Sequence, residues 1–452
     1  MTASKPVSQL VSRRSLVGSS ILVGESVLRL ALVAGVSMWI AHRLGPADFG
    51  LLNHASAMVA VFWSAALLGL DTPLTARLAL SAKPGSLLGS AIALRVVSGL
   101  LGGAAALAAA WLLRGGEPES VLLTAIVALA VPLSAPFIID AWFKARNDAL
   151  PPALARLAAT VFSVAAKVGC LLLGGGVVEL AWTVALESLL VASALYLAYR
   201  SRAVRGEPTR LTVQRDQVAA LLRECWPFML TTFAIGTYMK IDVLMLGVLS
   251  TNEQTGLYSL SQKLVEVLYL VPVIIVDVLF PQLVRQHEMR AQNAGSDPQV
   301  FFDLAFAAAL ITTVVAVCGI AWALPVMFGE PYRPTVGIFV IHAWACLGIA
   351  LNHARFKWMA ATGRQALAPR VALLGLALAI AGHALLIPSY GAIGAAVATV
   401  IAYFASGYLS SYLFPSLRPA ARMQTLALWP WRRLWSQWRH RGSISTETGA
   451  KS

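Results

Sequence analysis

The sequence predicts an all-α polytopic membrane protein, with twelve transmembrane helices in two six-helix lobes related by a parallel pseudo-two-fold axis. Three observations predict it. The 452 residues are 58% hydrophobic and only 12% charged, with mean hydropathy +0.72, whereas soluble domains are roughly a quarter charged. Apolar runs long enough to cross a bilayer, about 20 residues each, recur along the whole chain. A punctuating stretch near the start, Ala41–Leu52 (AHRLGPADFGLL), has a weaker echo past the midpoint. The echo is Gly247-Val248-Leu249-Ser250 followed by Thr255-Gly256-Leu257-Tyr258. Both copies end in a glycine that opens a new apolar run, the signature of a duplicated bundle.

The apolar runs fall at residues 17–41, 53–79, 86–112, 120–142, 153–174, 177–199, 226–248, 257–283, 302–328, 335–356, 367–387 and 391–413. Short Gly/Pro-rich breaks separate them, such as Lys83-Pro84-Gly85, Gly174-Gly175-Gly176 and Pro388-Ser389-Tyr390-Gly391. With the N-terminus inside, 27 Lys and Arg fall in cytoplasmic segments, Arg156 and Arg355 among them. Only Arg43, Arg114 and Arg333 lie outside. That asymmetry follows the positive-inside rule and supports both the count and the orientation. The expected organisation is an N-terminal lobe at 1–199, a cytoplasmic linker at 200–225, a C-terminal lobe at 226–414 and a basic, Trp-rich tail at 415–452. The two turns follow spans one and seven, so both lie on the outer face, and the repeat is parallel.

Several classes are excluded. The net charge of +14 resides in the loops, so it marks topology and not a nucleic-acid surface. Cys170, Cys225, Cys318 and Cys346 lie in or beside apolar runs without paired spacing, as small core residues and not disulfides or metal ligands. No cleavable signal is expected, because Met1–Arg14 is polar and basic and the run after it is long enough to span. No GxxxxGK[ST], HExxH or GxSxG occurs, and the outer loops are short. The chain is therefore expected to be neither an enzyme nor an ATP-driven motor, and to need no cofactor or metal. In the tail, Trp431, Trp435 and Trp438 recur at helical spacing beside Arg432, Arg433 and Arg439. They suit an anchor on anionic lipid at the inner leaflet.

Five basic residues remain inside spans: Arg29, Arg95, Lys167, Lys240 and Lys263. A charge there costs a few kcal/mol or more unless it is paired or faces water, so each is expected to face the bundle interior. Glu25 with Arg29 and Lys263 with Glu266 share a helical face, and simple neutralisation accounts for them as well as function does. Lys240 and Asp242 do not share a face, and Arg95 and Lys167 have no acid within one turn. A water-filled cavity lined by such cations suits a phosphate or diphosphate. Glu25, Glu187, Asp242, Glu266 and Asp277 are the candidates for proton or sodium coupling. Asp71 and Glu179 read as ordinary cap or interface residues.

Arg43-Leu44-Gly45-Pro46-Ala47-Asp48-Phe49-Gly50-Leu51 resembles the first outer turn of the Wzx-type polysaccharide and O-antigen flippases of the MATE-like superfamily. Asp242–Gly247 leading to Thr255–Tyr258, Leu279-Phe280-Pro281, and Pro388–Ala396 extend the resemblance in order along the chain. Leu52-Asn53 departs from the Tyr-Ser usual there, and twelve spans instead of fourteen set the chain apart from lipid II flippases. The resemblance implies two six-helix lobes around a cationic cavity and alternating access. It also implies an undecaprenyl-diphosphate-linked oligosaccharide as substrate, the bacterial inner membrane as location, both termini cytoplasmic, and a polysaccharide polymerase as a partner. The alternatives are an ion-coupled multidrug or small-molecule exporter of the MATE type, whose cavity should be acidic, or a non-transporting component of a polysaccharide assembly complex. A membrane polymerase or ligase would need a sizeable outer loop.

Overall fold

The computed structural model describes residues 13–81, 84–203, 210–290 and 298–429. Every regular element among them is helical. Ten stretches are long and apolar enough to cross a membrane. Two of these, Leu28–Leu80 and Gln365–Leu413, run 53 and 49 residues, more than twice the requirement of about 20. Ten stretches thus stand where twelve separate spans were expected, and the difference sits at two glycines.

The first is Gly45, inside α1 (Arg13–Ala66). Its backbone adopts φ +79°, ψ 170°, a region that a Cβ disfavours. Pro46 follows, with its φ preset for a helix start and no amide hydrogen to lose. The break is therefore a single residue, and the rest of Ala41–Leu52 is helical, not a loop. Gly391 breaks α15 (Ala368–Phe404) in the same way, three residues after Pro388.

The described residues form two compact units, up to Gly256 and from Leu257. In the first unit α1 is followed by α2 (Asp71–Leu80), α3 (Pro84–Leu113), α4 (Pro118–Ala128), α5 (Ala130–Leu133), α6 (Ile139–Ala145), α7 (Leu150–Leu172) and α8 (Val177–Ala203). Then come α9 (Arg215–Tyr238), α10 (Ile241–Leu249) and the first turn of α11 (Asn252–Arg290). One apolar core joins Leu74, Leu88, Ile138, Trp142, Phe143 and Tyr199. The repeat assigns α9 and α10 to the second lobe, and both pack here against α1. Lys240, expected within a span, sits at the break between them.

The two copies of the turn meet directly. A Cβ on Gly50 would collide with the Asn252 carbonyl and the Gly256 amide, and one on Gly256 would collide with the Pro46 carbonyl. Both positions therefore have to lack a side chain for the backbones to approach this closely. Arg114 braces the contact. Its guanidinium donates to the Gly247 carbonyl oxygen and to Asn252 Oδ1 at 2.8 Å, and pairs with Glu117 at 2.7 Å.

The second unit holds the rest of α11, then α12 (Gln299–Phe328), α13 (Thr335–His342), α14 (Ala345–Ala361), α15, α16 (Ser410–Leu413) and α17 (Arg418–Ala427). Its core gathers Phe302, Phe306, Leu351, Trp358, Met359 and Leu417. Arg355, counted with the cytoplasmic cations, is instead fully buried in α14. It donates to Ser410 Oγ at 2.6 Å, Ser411 Oγ at 3.1 Å and Asn352 Oδ1 at 2.7 Å. The Leu417–Ala427 part of the expected tail docks on this core, with Gln424 donating to the Leu351 and Gly407 carbonyls. Trp431, Trp435 and Trp438 lie outside the described residues. Large apolar side chains such as Leu101, Leu112, Trp322 and Leu385 stand exposed, as lipid-facing positions must. All four cysteines are unbonded. Cys225 and Cys346 are buried as expected, whereas Cys318 is exposed.

Gly256→Ala should lower the thermal midpoint of the detergent-solubilised protein by several degrees, because the backbone contact with Pro46 must open. Gly337→Ala, with nothing within 4 Å of its new Cβ, should not. Arg355→Ala should cost about 3 kcal/mol through the void and the stranded hydroxyls it leaves, while Arg418→Ala on the exposed face of α17 should be near neutral.

Candidate functional site: a charged cavity in the first unit

A cavity of about 510 Å³ opens within the first unit, and six charged residues line it: Arg29, Asp71, Arg95, Asp140, Arg156 and Glu187. Each reaches it from a different helix. Arg29 comes from the first half of α1. The second half ends at Ala66, and a tight turn through Leu68 and Gly69, both at positive φ, delivers Asp71 to the first turn of α2. A carboxylate there is favoured by the unpaired amides of the helix start. Arg95 lies midway along α3, only 4% exposed, and donates to Asp71 Oδ2 at 2.8 Å.

Two further pairs complete the lining. Asp140, in the first turn of α6, accepts from Arg156 of α7 at 2.6 Å and from Lys144 one turn along its own helix at 2.6 Å. Glu187 of α8 accepts from Lys167 at 2.5 Å and from the Ser163 hydroxyl at 2.9 Å. Ser163 and Lys167 are one turn apart on α7, so they present one face to Glu187. Burying these charges in a membrane-embedded unit would be costly alone, and pairing across helices offsets that cost. Among the described residues three guanidinium groups and three carboxylates line the cavity, and Lys144 and Lys167 join it through Asp140 and Glu187. An incoming anion can exchange with the carboxylate at Arg95 or Arg156, whose planar guanidinium fork donates to two oxygens at once.

The structure distributes the expected site residues unevenly. Arg29 and Arg95 line the cavity, and Lys167 reaches it through Glu187. Arg95 and Lys167, read as lacking local acids, have partners after all on the neighbouring helices, Asp71 at 24 residues away and Glu187 at 20 residues away. Asp71 is not merely a cap. Arg156, counted as a loop cation, belongs to the cavity wall, and Asp140 was not singled out at all. Its signal was available, since Asp140 and Arg156 both sit inside the ends of apolar runs. Glu179 does behave as a cap, accepting from the Gly176 amide at 2.8 Å. Asp242 is buried in the first turn of α10, where its carboxylate accepts from the Val243 amide at 2.8 Å. The side chain of Glu25 lies outside the described residues. In the second unit Lys263 pairs with Glu266 at 3.5 Å, and Asp277 meets Lys357 at 2.7 Å and His353 at 3.1 Å. Among the described residues no cluster of His, Cys, Asp or Glu could hold a metal ion.

The fold recurs among solved structures. A lipid II flippase MurJ in an inward closed conformation matches at TM-score 0.66 and 13% identity, covering 92% of this chain and 91% of that one. An inward-facing multidrug resistance MATE family transporter of the MOP superfamily matches at TM-score 0.61 and 13% identity, covering 91% and 99%. The eukaryotic MATE transporter AtDTX14 matches at TM-score 0.60 and 14% identity, covering 92% and 100%. At such identities the likeness shows the fold alone, that of a multi-pass, all-α membrane protein. No curated protein matches the chain. In sequence, residues 40–337 match the family described as polysaccharide biosynthesis protein. That match takes in both copies of the turn and every residue of the charged cavity except Arg29, and the chain belongs to the polysaccharide biosynthesis protein family.

Proposed function

We propose that the chain flips a polyprenyl-diphosphate-linked oligosaccharide from the inner to the outer leaflet of a bacterial plasma membrane, by alternating access, during polysaccharide biosynthesis. The observation that carries this reading is the pair of guanidinium groups on the wall of the first unit's cavity, Arg95 and Arg156, each held there by an exchangeable carboxylate, Asp71 and Asp140. A diphosphate can take the place of either carboxylate on its guanidinium, as a cationic drug cannot, and this disfavours the multidrug alternative despite the shared fold. Arg95 and Arg156 would exchange Asp71 and Asp140 for phosphate oxygens, with Arg29 and Lys167 completing the cradle. The MurJ likeness supports a lipid-linked cargo, since that neighbour is by name a lipid II flippase.

Lys240 and Lys263 remain candidates for contact with the cargo elsewhere on its path. Glu25, Glu187, Asp242, Glu266 and Asp277 remain candidates for ion coupling, and Glu187 is the one that shares the cavity with the proposed phosphate site. Cytoplasmic termini place the basic tail on the inner leaflet. Exposed Arg418, Arg422 and Leu426, spaced to share one side of α17, with exposed Trp429 just beyond its end, suit anionic lipid there. A polysaccharide polymerase would take the product on the outer side.

The experiment is leaflet exposure of labelled lipid-linked glycan in cells whose only copy of the protein is a variant. Arg95→Ala and Lys167→Ala should each lower flipping by an order of magnitude or more while the protein still reaches the membrane. Exchanging the partners, Asp71→Arg with Arg95→Asp, should keep the ion pair and the fold but not restore flipping. Unchanged flipping in both single variants would remove these residues from the site.

A further inference from the structure

The charged lining is only part of the cavity wall. Trp63, near the end of α1, and Phe137, in the short 3₁₀ turn Ala135–Ile138, line the same space. Their ring centroids stand 6.3 Å apart at 48°, so neither ring covers the face of the other. Both are half-buried, unlike the aromatic side chains of the closed core such as Phe143. The Trp63 segment is also fastened to the helix that carries Arg95. Ser98, one turn beyond Arg95, donates its hydroxyl to the carbonyl of Ala66, one turn beyond Trp63, at 2.8 Å.

We propose that Trp63 and Phe137 form a stacking platform for the sugar next to the diphosphate, a reading that rests on the cavity being the diphosphate site. A pyranose ring is amphipathic. Its hydroxyls lie around the rim, and its faces present C–H bonds. An aromatic face carries negative charge density and a large apolar area, so it meets a C–H face favourably and leaves the rim free. The rim then finds acceptors and donors around the same cavity, in Asp140 and Glu187 and in the hydroxyls of Thr160 and Ser188. A volume of about 510 Å³ lies within the range of roughly 300–1,000 Å³ for small-molecule pockets, and so admits a diphosphate with its first sugar. Cations alone would hold any polyprenyl diphosphate. The platform makes the cavity distinguish a glycan-bearing carrier from a bare one, which keeps the spent carrier from competing for the site.

The test compares binding of four probes to the full-length protein in nanodiscs. They are undecaprenyl diphosphate, and the same lipid bearing glucose, galactose or N-acetylglucosamine. Wild type should bind at least one sugar-bearing probe about tenfold more tightly than the bare lipid, the gain expected of a stacked aromatic face. Trp63→Leu should abolish that gain and leave the affinity for the bare lipid unchanged, which also shows that the variant is folded. Phe137→Leu should reduce the gain, and Trp63→Phe should keep most of it. A gain that survives in Trp63→Leu overturns the platform. So does a wild type that binds the bare diphosphate with no gain from any sugar, and the diphosphate reading then still stands. Binding of sugar-bearing probes without any binding of the bare lipid would overturn the diphosphate reading and leave the platform supported.

Discussion

The constraint on which this structure depends is the cost of placing charge inside a bilayer-embedded bundle. A guanidinium or ammonium at that depth must meet a carboxylate, a set of hydroxyls or water. Arg95 meets that demand through Asp71, Lys167 through Glu187, and Arg156 through Asp140. Each bond crosses from one helix to another, so the three pairs also tie α2, α3, α6, α7 and α8 around one cavity. Arg355 shows the other solution. It is fully buried in the second unit and bonded there to Ser410, Ser411 and Asn352. Pairs that border a cavity can exchange partners, whereas a fully buried network serves the fold.

A second constraint governs how closely helices approach. With lipid outside, there is little hydrophobic gain in pressing helix on helix, so contact area must come from small residues and close backbones. Gly50 against Asn252 and Gly256 against Pro46 are the clearest instances in the first unit. In the second, Gly348 and Gly407 lie against one another, and the inner face of α15 is paved with Ala392, Ala395, Ala396 and Ala398. The contact between the two copies of the turn gives the repeated glycines a mechanical reason. They are positions where two chain segments pass with no room for a Cβ, and Arg114 holds them together from a third.

Much of the fold is legible in the sequence, because apolar runs and Gly/Pro breaks leave few alternatives in a bilayer. The breaks at Gly45 and Gly391 fall where the GP and PSYG signals lie, although one glycine suffices where a loop was expected. Arg95 is legible too, as a lone cation in an apolar run. Its partner is not, since Asp71 lies 24 residues away and is brought back only by the turn at Leu68–Gly69. Arg156 and Arg355 were hidden by the opposite error, because charges a few residues inside the end of a run read as loop. Trp63 and Phe137 carry no sequence signal at all. An aromatic residue in an apolar run has the same appearance whether it faces lipid, core or cavity, and only the folded chain separates the three.

The measurement that bears most directly on the central claim is the position of the phosphates. The protein in nanodiscs with a bound undecaprenyl-diphosphate-linked sugar, imaged by electron cryomicroscopy, should show phosphate density within hydrogen-bond distance of the Arg95 and Arg156 guanidinium groups, with the Arg95–Asp71 bond opened. Phosphate density outside this cavity, with Arg95 still bonded to Asp71, would contradict the account.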